Sequence, residues 1–283
     1  MAISAQDVKR LREQTGAGMM DCKRALVDSG GDLAAAERRL KEMGLSAAAK
    51  RSGRATNEGR IFATVNGTAA ILELSSETDF VARNDQFMAL GEQLVAEVAA
   101  ESPQAPTDKM QQLITAAIGR IKENIALRRF HSVAIEDGDT VAHYLHGEGN
   151  IGALVKLHAS DASLAAHARV TETAFDLALH VAAYAPPFLT QDNVTEEYLS
   201  EQESIFRKQA EALDKPAKVV EGIVKGKLRK HLQEICLVEQ EFVKDQKLSV
   251  KQLVAGLGKE LGADVQIVDY VYYKVGEEAP AAS

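Results

Sequence analysis

Apolar positions recur at helical spacing at the start of this chain, in strand-like runs through its middle, and in both patterns toward its end. Ser4 with Asp7 three residues on is close to a capping box, and Val8 and Leu11 follow on one face. Gly16 stops that helix. Met19 to Leu26 make a second, and Asp32 caps a third carrying Leu33, Ala36, Leu40 and Met43, closed by Gly44. Residues 1–45 therefore read as a three-helix module with a marginal core, of the kind that docks onto something else. Residues 46–60 are small and basic (Lys50, Arg51, Arg54, Arg60) and lose the apolar period after Leu45, so they read as a solvated linker.

Strand patterns begin with Ile61–Val65 and Thr68–Leu74 around Asn66-Gly67, a pair suited to a two-residue type I′ hairpin. The second run breaks without Gly or Pro into Glu77-Thr78-Asp79-Phe80-Val81. Thr78 and Asp79 have side chains that accept from backbone N–H groups two or three positions on, which places Phe80 at a strand-to-helix corner. Asn84 caps a helix with Phe87, Leu90, Leu94 and Val98. Another helix spans about 108–125 with Leu113, Ile114, Ala117, Ile121 and Ile125, followed by a strand from Arg128 to Ile135 and a turn at Asp137-Gly138.

A second hairpin-like passage, Val141–Leu145 and Ile151–Leu157, leads to an amphipathic helix ending near Tyr184 before Pro186-Pro187. It echoes the first at an offset of 83 residues: Ala70-Ile71-Leu72 matches Ala153-Leu154-Val155, Leu94 matches Leu177, and Val98-Ala99-Ala100 matches Val181-Ala182-Ala183. At that offset Thr78-Asp79-Phe80-Val81 faces Asp161-Ala162-Ser163-Leu164. The scaffold thus has no need of an aromatic at this corner, which favours an outward Phe80 wedge over an inward plug.

Beyond residue 187, Thr195-Glu196-Glu197, a turn at Asp214-Lys215-Pro216 and a return arm with Val220, Ile223, Val224, Leu228 and Leu232 make a helical hairpin. Its narrow apolar seam suits either a second copy of the chain or packing on its own core. Phe242-Val243-Lys244-Asp245, a Ser249-capped helix and a strand from Val265 to Tyr273 complete the pattern. The expected class is α+β: the N-terminal module 1–45, the linker 46–60, a two-part core of related hairpin-plus-helix units (61–140; 141–187 with 235–275), a protruding hairpin at 188–234 and a disordered tail at 276–283.

Composition narrows the chemistry. With 46% hydrophobic and 26% charged residues this is globular material, and a net charge of −8 argues against broad nucleic-acid contact, which needs many Lys and Arg on phosphates. Cys22 and Cys236 form no metal or disulfide pattern and read as thiols of a reducing compartment. No run approaches a membrane span, so a cytoplasmic location is expected. There is no Walker loop, since Gly222 to Lys227 has the wrong spacing, and no nucleophile elbow. His143 and His146 would point to opposite faces of a strand with no third ligand nearby. An enzyme, a resident cofactor and a metal site are all disfavoured.

Two segments carry a resemblance. Thr15-Gly16-Ala17-Gly18-Met19-Met20-Asp21-Cys22-Lys23-Arg24-Ala25-Leu26 and Glu73-Leu74-Ser75-Ser76-Glu77-Thr78-Asp79-Phe80-Val81 closely resemble the two signatures of the elongation factor Ts family. Glu123-Asn124-Ile125, Arg128-Arg129, His146-Gly147, Ile151-Gly152, His180-Val181-Ala182-Ala183 and Phe242-Val243-Lys244-Asp245 extend it from about residue 2 to 275. The resemblance implies a guanine-nucleotide exchange factor for elongation factor Tu, with a ubiquitin-associated-like N-terminal module and a hairpin that dimerises in some members. It implies that Phe80 is a wedge entering the partner's GTPase domain and disturbing its Mg²⁺ and phosphate loop, with Asp79 positioning it and Thr78 and Val81 shaping the insertion. Met19 and Met20 would touch the same domain, and His146 would lie in the core contact surface. Two residues depart from the family's pattern: Ser75 stands where Asn is usual, and Lys122 where Gly is common. The rival reading is a passive adaptor that binds a protein through the N-terminal module.

Overall fold

The computed structural model describes residues 3–277, and its elements follow from local chemistry. Helix α1 (Ala5–Thr15) starts where Ser4 Oγ accepts from Asp7 N and ends on left-handed Gly16. Helix α2 (Met19–Asp28) follows. Helix α3 (Leu33–Arg51) is capped by Asp32, whose side chain accepts from Ala35 N. Val8, Leu11, Cys22, Ala25, Leu26 and Ala36 make the small core of this three-helix module. The stretch expected to be a linker from residue 46 is helical as far as Arg51. Ala-rich sequence is the best helix former, and Ala48 packs on the neighbouring core, so the helix persists after the apolar period has gone.

Strands β1 (Glu58–Asn66) and β2 (Thr68–Ser76) form the expected hairpin with a different turn. Val65 faces Ala69 and Asn66 faces Thr68, leaving Gly67 alone at the apex. Gly67 has φ +74°, and Asn66 is not among the positive-φ residues, so the two-residue type I′ geometry is replaced by a tighter reversal with Gly67 alone between the paired Asn66 and Thr68. After β2 come the four-residue α4 (Asp79–Ala82), α5 (Asp85–Glu101), α6 (Asp108–Ile121) and β3 (Ile125–Ala134). Helix α6 stops before Ile125, the residue expected to end it. Lys122 turns left-handed, and Ile125 is a buried strand residue instead. The sheet order is β1-β2-β3, antiparallel throughout, with α5 and α6 packed on it around Phe62, Leu72, Leu74, Phe87, Leu94 and Met110.

Strands β4 (Asp139–His146) and β5 (Ile151–Ala159) flank a short 3₁₀ turn at Gly147–Gly149, and α7 (Ala168–Tyr184) follows. Helices α8 (Glu196–Glu211) and α9 (Ala217–Ile235) pair through Phe206, Ala210, Val220, Ile223 and Val224. Strands β6 (Glu241–Phe242) and β7 (Asp245–Ser249), helix α10 (Val250–Leu261) and strand β8 (Val265–Lys274) complete the chain, and the second large sheet runs β4-β5-β8.

The chain divides into two compact units. One is Met1–Ala134 with Leu145–Gly152 and Tyr273–Ser283, and the other is Ile135–Tyr144 with Ala153–Tyr272. The 83-residue echo is visible in each. A central strand, β2 or β5, leads through a capped corner to a 17-residue helix, α5 or α7. Those helices end on left-handed Ser102 and Ala185, which are equivalent positions. At the corners, Thr78 accepts from Val81 N and Asp161 from Ser163 N.

Of the tail expected to be disordered, Gly276 is hydrogen-bonded: its N–H donates to Glu73 Oε1 at 2.8 Å, a carboxylate buried to 1% exposure. A buried charge takes every donor within reach, and here it orders the strand end. Residues 278–283 lie outside the described residues.

Candidate functional site

The corner after β2 is built by the register of its sheet. Ser76 faces Ile125, and extending that antiparallel pairing two residues puts Thr78 opposite Glu123. The two segments then exchange carboxylates. Glu123 accepts from Thr78 N at 3.0 Å and from Thr78 Oγ1 at 2.8 Å, and Glu77 Oε1 accepts from Asn124 N at 2.6 Å. Ser76 Oγ donates to Thr78 O at 3.0 Å, Arg54 lies 3.3 Å from Glu77, and Asn124 Nδ2 donates to Arg54 O. Charge-assisted bonds of this kind are the stronger ones, so Thr78 is fixed at both its backbone and its hydroxyl.

What this bracing presents is Phe80, 82% exposed. Its neighbours anchor it from below: Val81 is half-buried against the core, Ala82 is buried, and Thr78 caps the turn through Val81 N. Asp79 pairs with Arg83 at 3.9 Å, and Arg83 also approaches Glu148 at 3.7 Å. Glu148 adopts φ +59° and reaches Arg60 at 3.5 Å, so the turn after His146 is linked through Arg83 to the short helix that carries Phe80. His146 itself is exposed at the end of β4.

Met19 and Met20 open α2 and are 55% and 73% exposed. The next residue, Asp21, receives Lys122 Nζ at 2.9 Å. That hydrogen bond outweighs burial and holds the Asp21 carboxyl below its ordinary value. Lys122 precedes Glu123, so the residue that follows the methionine pair and the residue that caps the Phe80 corner are bonded to consecutive positions of one turn. Ser75, the departure from the usual Asn, is buried and satisfied by Thr56 Oγ1 at 2.9 Å and Ala126 O at 3.2 Å.

Met19, Met20 and Phe80, singled out in the sequence, are exposed, whereas the residues that hold them in place carry no sequence signal. Glu123, Glu77, Arg54, Arg83, Glu148 and Asp21 read locally as ordinary surface charges. Only the strand register reveals which of them meet. Among the described residues no group of three or more His, Cys, Asp and Glu is placed to hold a metal ion, and no helix is long and apolar enough to cross a membrane. Cys22 and Cys236 are free and buried, and burial pushes both thiols up.

A small helical module and α+β units that hold Met19, Met20 and Phe80 out in solvent are the arrangement of a binding protein's surface. The family model described as Elongation factor TS matches residues 77–277. Elongation factor Ts of Borrelia hermsii is 44% identical over 279 residues, covering 98% of this chain and 100% of that protein. The Borreliella burgdorferi protein of the same name is 43% identical over 276 residues (97% and 99%), and that of Treponema denticola 40% over 277 (98% and 99%). The chain belongs to the elongation factor Ts family, and membership carries the coarse role of a nucleotide-exchange factor in translation elongation.

Proposed function

We propose that this chain binds elongation factor Tu, in its GDP-bound and nucleotide-free forms, and promotes GDP release by inserting the Thr78-Asp79-Phe80-Val81 corner into the partner's GTPase domain. Phe80 is the wedge that disturbs the partner's Mg²⁺ and phosphate site. Met19, Met20 and His146 make further contacts. The observation that carries this reading is Phe80 itself, a large apolar side chain held out in water on a corner whose cap is pinned by two bonds to Glu123. A free monomer gains nothing from that arrangement, because burying the ring is worth about 1.5–3 kcal/mol.

The chain works by binding alone, with no covalent chemistry, no resident cofactor and no nucleic-acid contact, and it acts in the cytoplasm. Moving a partner from nucleotide-bound to nucleotide-released by about 10⁴ needs roughly 5.5 kcal/mol of differential binding. One Phe supplies less than that, so the methionine pair and the core surface contribute the rest. By linkage, GDP weakens the factor's binding as much as the factor weakens GDP's, which lets the factor turn over. The α8–α9 hairpin exposes Ile205 and Val219 on its arms and Leu213 in its turn, apolar side chains available to a second copy of the chain.

The test is release of fluorescent GDP from elongation factor Tu by the wild-type chain and by Phe80→Ala. Strong acceleration by the wild type, reduced at least about tenfold in the variant, is expected of an interface hot spot. Binding without acceleration would leave a passive adaptor. Equal acceleration by both would remove Phe80 from the mechanism.

A further inference from the structure

Lys122 is one of five non-glycine residues with positive φ among the described residues, at +71° where it caps α6. Glycine occupies such a position without strain, so a lysine there goes against the local preference. Its side chain crosses to the N-terminal module, where Nζ meets Asp21 Oδ2 at 2.9 Å with the lysine 48% and the aspartate 20% exposed. Its carbonyl accepts from Arg51 Nε at 3.0 Å, at the last residue of α3. One residue on, Glu123 holds Thr78.

A second contact lies alongside. Gly16, at φ +66°, rests on Arg120: a Cβ there would stand 3.2 Å from Arg120 Cδ. The entry to α2 is therefore seated on the end of α6 at two points, Arg120 and Lys122, separately from the packing of α3 on α6. Asp21 directly follows Met20, and Glu123 braces the corner that carries Phe80.

We propose that Lys122 is a positioning residue: its ion pair with Asp21 sets the Met19–Met20 end of α2 at a fixed place relative to the Phe80 corner, so that both prongs meet the partner as one preformed surface. This rests on the reading that both prongs contact elongation factor Tu. Preorganisation saves the ordering that would otherwise oppose binding, so the ion pair acts on affinity and leaves the wedge step alone.

The experiment follows GDP release from elongation factor Tu against concentration of the full-length chain, for wild type, Lys122→Gly, Lys122→Arg and Asp21→Ala. Lys122→Gly suits the left-handed backbone and removes the side chain together with its ammonium, so Lys122→Arg serves as the charge-retaining control. The glycine variant is expected to keep its melting temperature and maximal rate while the half-saturating concentration rises about two- to fivefold, the scale of a partly exposed ion pair. Asp21→Ala, which also releases Arg24, should raise it at least as far, and Lys122→Arg should restore the wild-type value. At about 1 M salt the difference should vanish through screening. Met20→Ala and Phe80→Ala should be non-additive in the wild type and additive in Lys122→Gly.

An unchanged half-saturating concentration in Lys122→Gly at low salt, with the wild type active, overturns the proposal and leaves the exchange reading standing. A lowered melting temperature that accounts for the loss makes Lys122 structural and also overturns it. A wild type that releases no GDP sinks the exchange reading first.

Discussion

Glu123 grips Thr78 twice, at the backbone N–H and at the hydroxyl, across 45 residues of sequence. The same hydroxyl accepts from Val81 N, so one carboxylate sets both the cap and the pitch of the turn that carries Phe80. Neither bond touches the aromatic ring, yet both decide where it points.

Removing that carboxylate should loosen the corner while leaving Phe80 in place. Hydrogen bonds to charged groups are worth about 1.5–3 kcal/mol, and at this partly exposed site the lower end applies. Glu123→Ala is expected to slow GDP release by about tenfold, since about 1.4 kcal/mol is a factor of ten in rate. Amide exchange at residues 77–83 should rise in parallel. Unchanged exchange protection would show that the corner stands without Glu123.

Phe80 and Phe87, seven residues apart, should separate function from stability. Phe80→Ala removes an exposed ring and should leave urea stability within about 0.5 kcal/mol. Phe87 is fully buried beside Phe62, so Phe87→Ala should lose about 3–5 kcal/mol. A large loss in Phe80→Ala would mean the ring packs inward in solution.

Glu73 ties the strand end to the first sheet. Its carboxylate accepts from Arg129 Nε at 2.8 Å and from Gly276 N, and Arg129 also donates to Lys274 O and lies over the Tyr273 ring. Glu73→Ala would leave the Arg129 guanidinium, 12% exposed, without its counter-charge and should cost about 3 kcal/mol. Ending the chain at Val275 removes the Gly276 N–H bond to Glu73 and the Glu277 N–H bond to Lys274 O, and should cost about 1–2 kcal/mol. Chemical denaturation of the two variants gives the ranking.

Stability should fall as the solution is acidified through neutrality. His180 is fully buried: Nδ1 accepts from Val243 N at 3.2 Å and Nε2 lies 2.9 Å from Gln240 Oε1. Burial lowers its pKa below the ordinary 6.5, outweighing the Gln240 bond. The unfolded chain therefore takes up the proton first. This contribution is complete above pH 6.5 and is lost as pH drops toward the folded value. Melting temperatures from about pH 7.5 to pH 5 should decline in the wild type, with a shallower slope in His180→Gln. Parallel slopes would assign the acid sensitivity elsewhere.

Local chemistry made much of this legible in the sequence. Ser4, Asp32, Asn84 and Ser249 cap the helices they were expected to cap, because a side-chain oxygen two or three residues ahead of free N–H groups needs no tertiary help. The 83-residue echo located both central strands and the corner where Phe80 is an extra. Its outward direction followed from comparing that corner with Asp161-Ala162-Ser163-Leu164.

Other features depended on context. Helix α3 continues to Arg51 because Ala48 finds a core and Arg51 finds the carbonyl of Lys122, and no heptad-length window contains either partner. The type I′ turn failed because Asn66 pairs with Thr68 and joins the ladder.

The sequence alone therefore determined which residues are capped, which alternate into strands, which family the motifs resemble, and that Phe80 stands where the scaffold needs no aromatic. The tertiary structure decided what holds those residues in place. Asp21 meets Lys122 across 101 positions and Thr78 meets Glu123 across 45. Periodicity records the face a residue occupies within one element, whereas a long-range ion pair exists only after the β2–β3 register and the seating of α2 have brought two elements together.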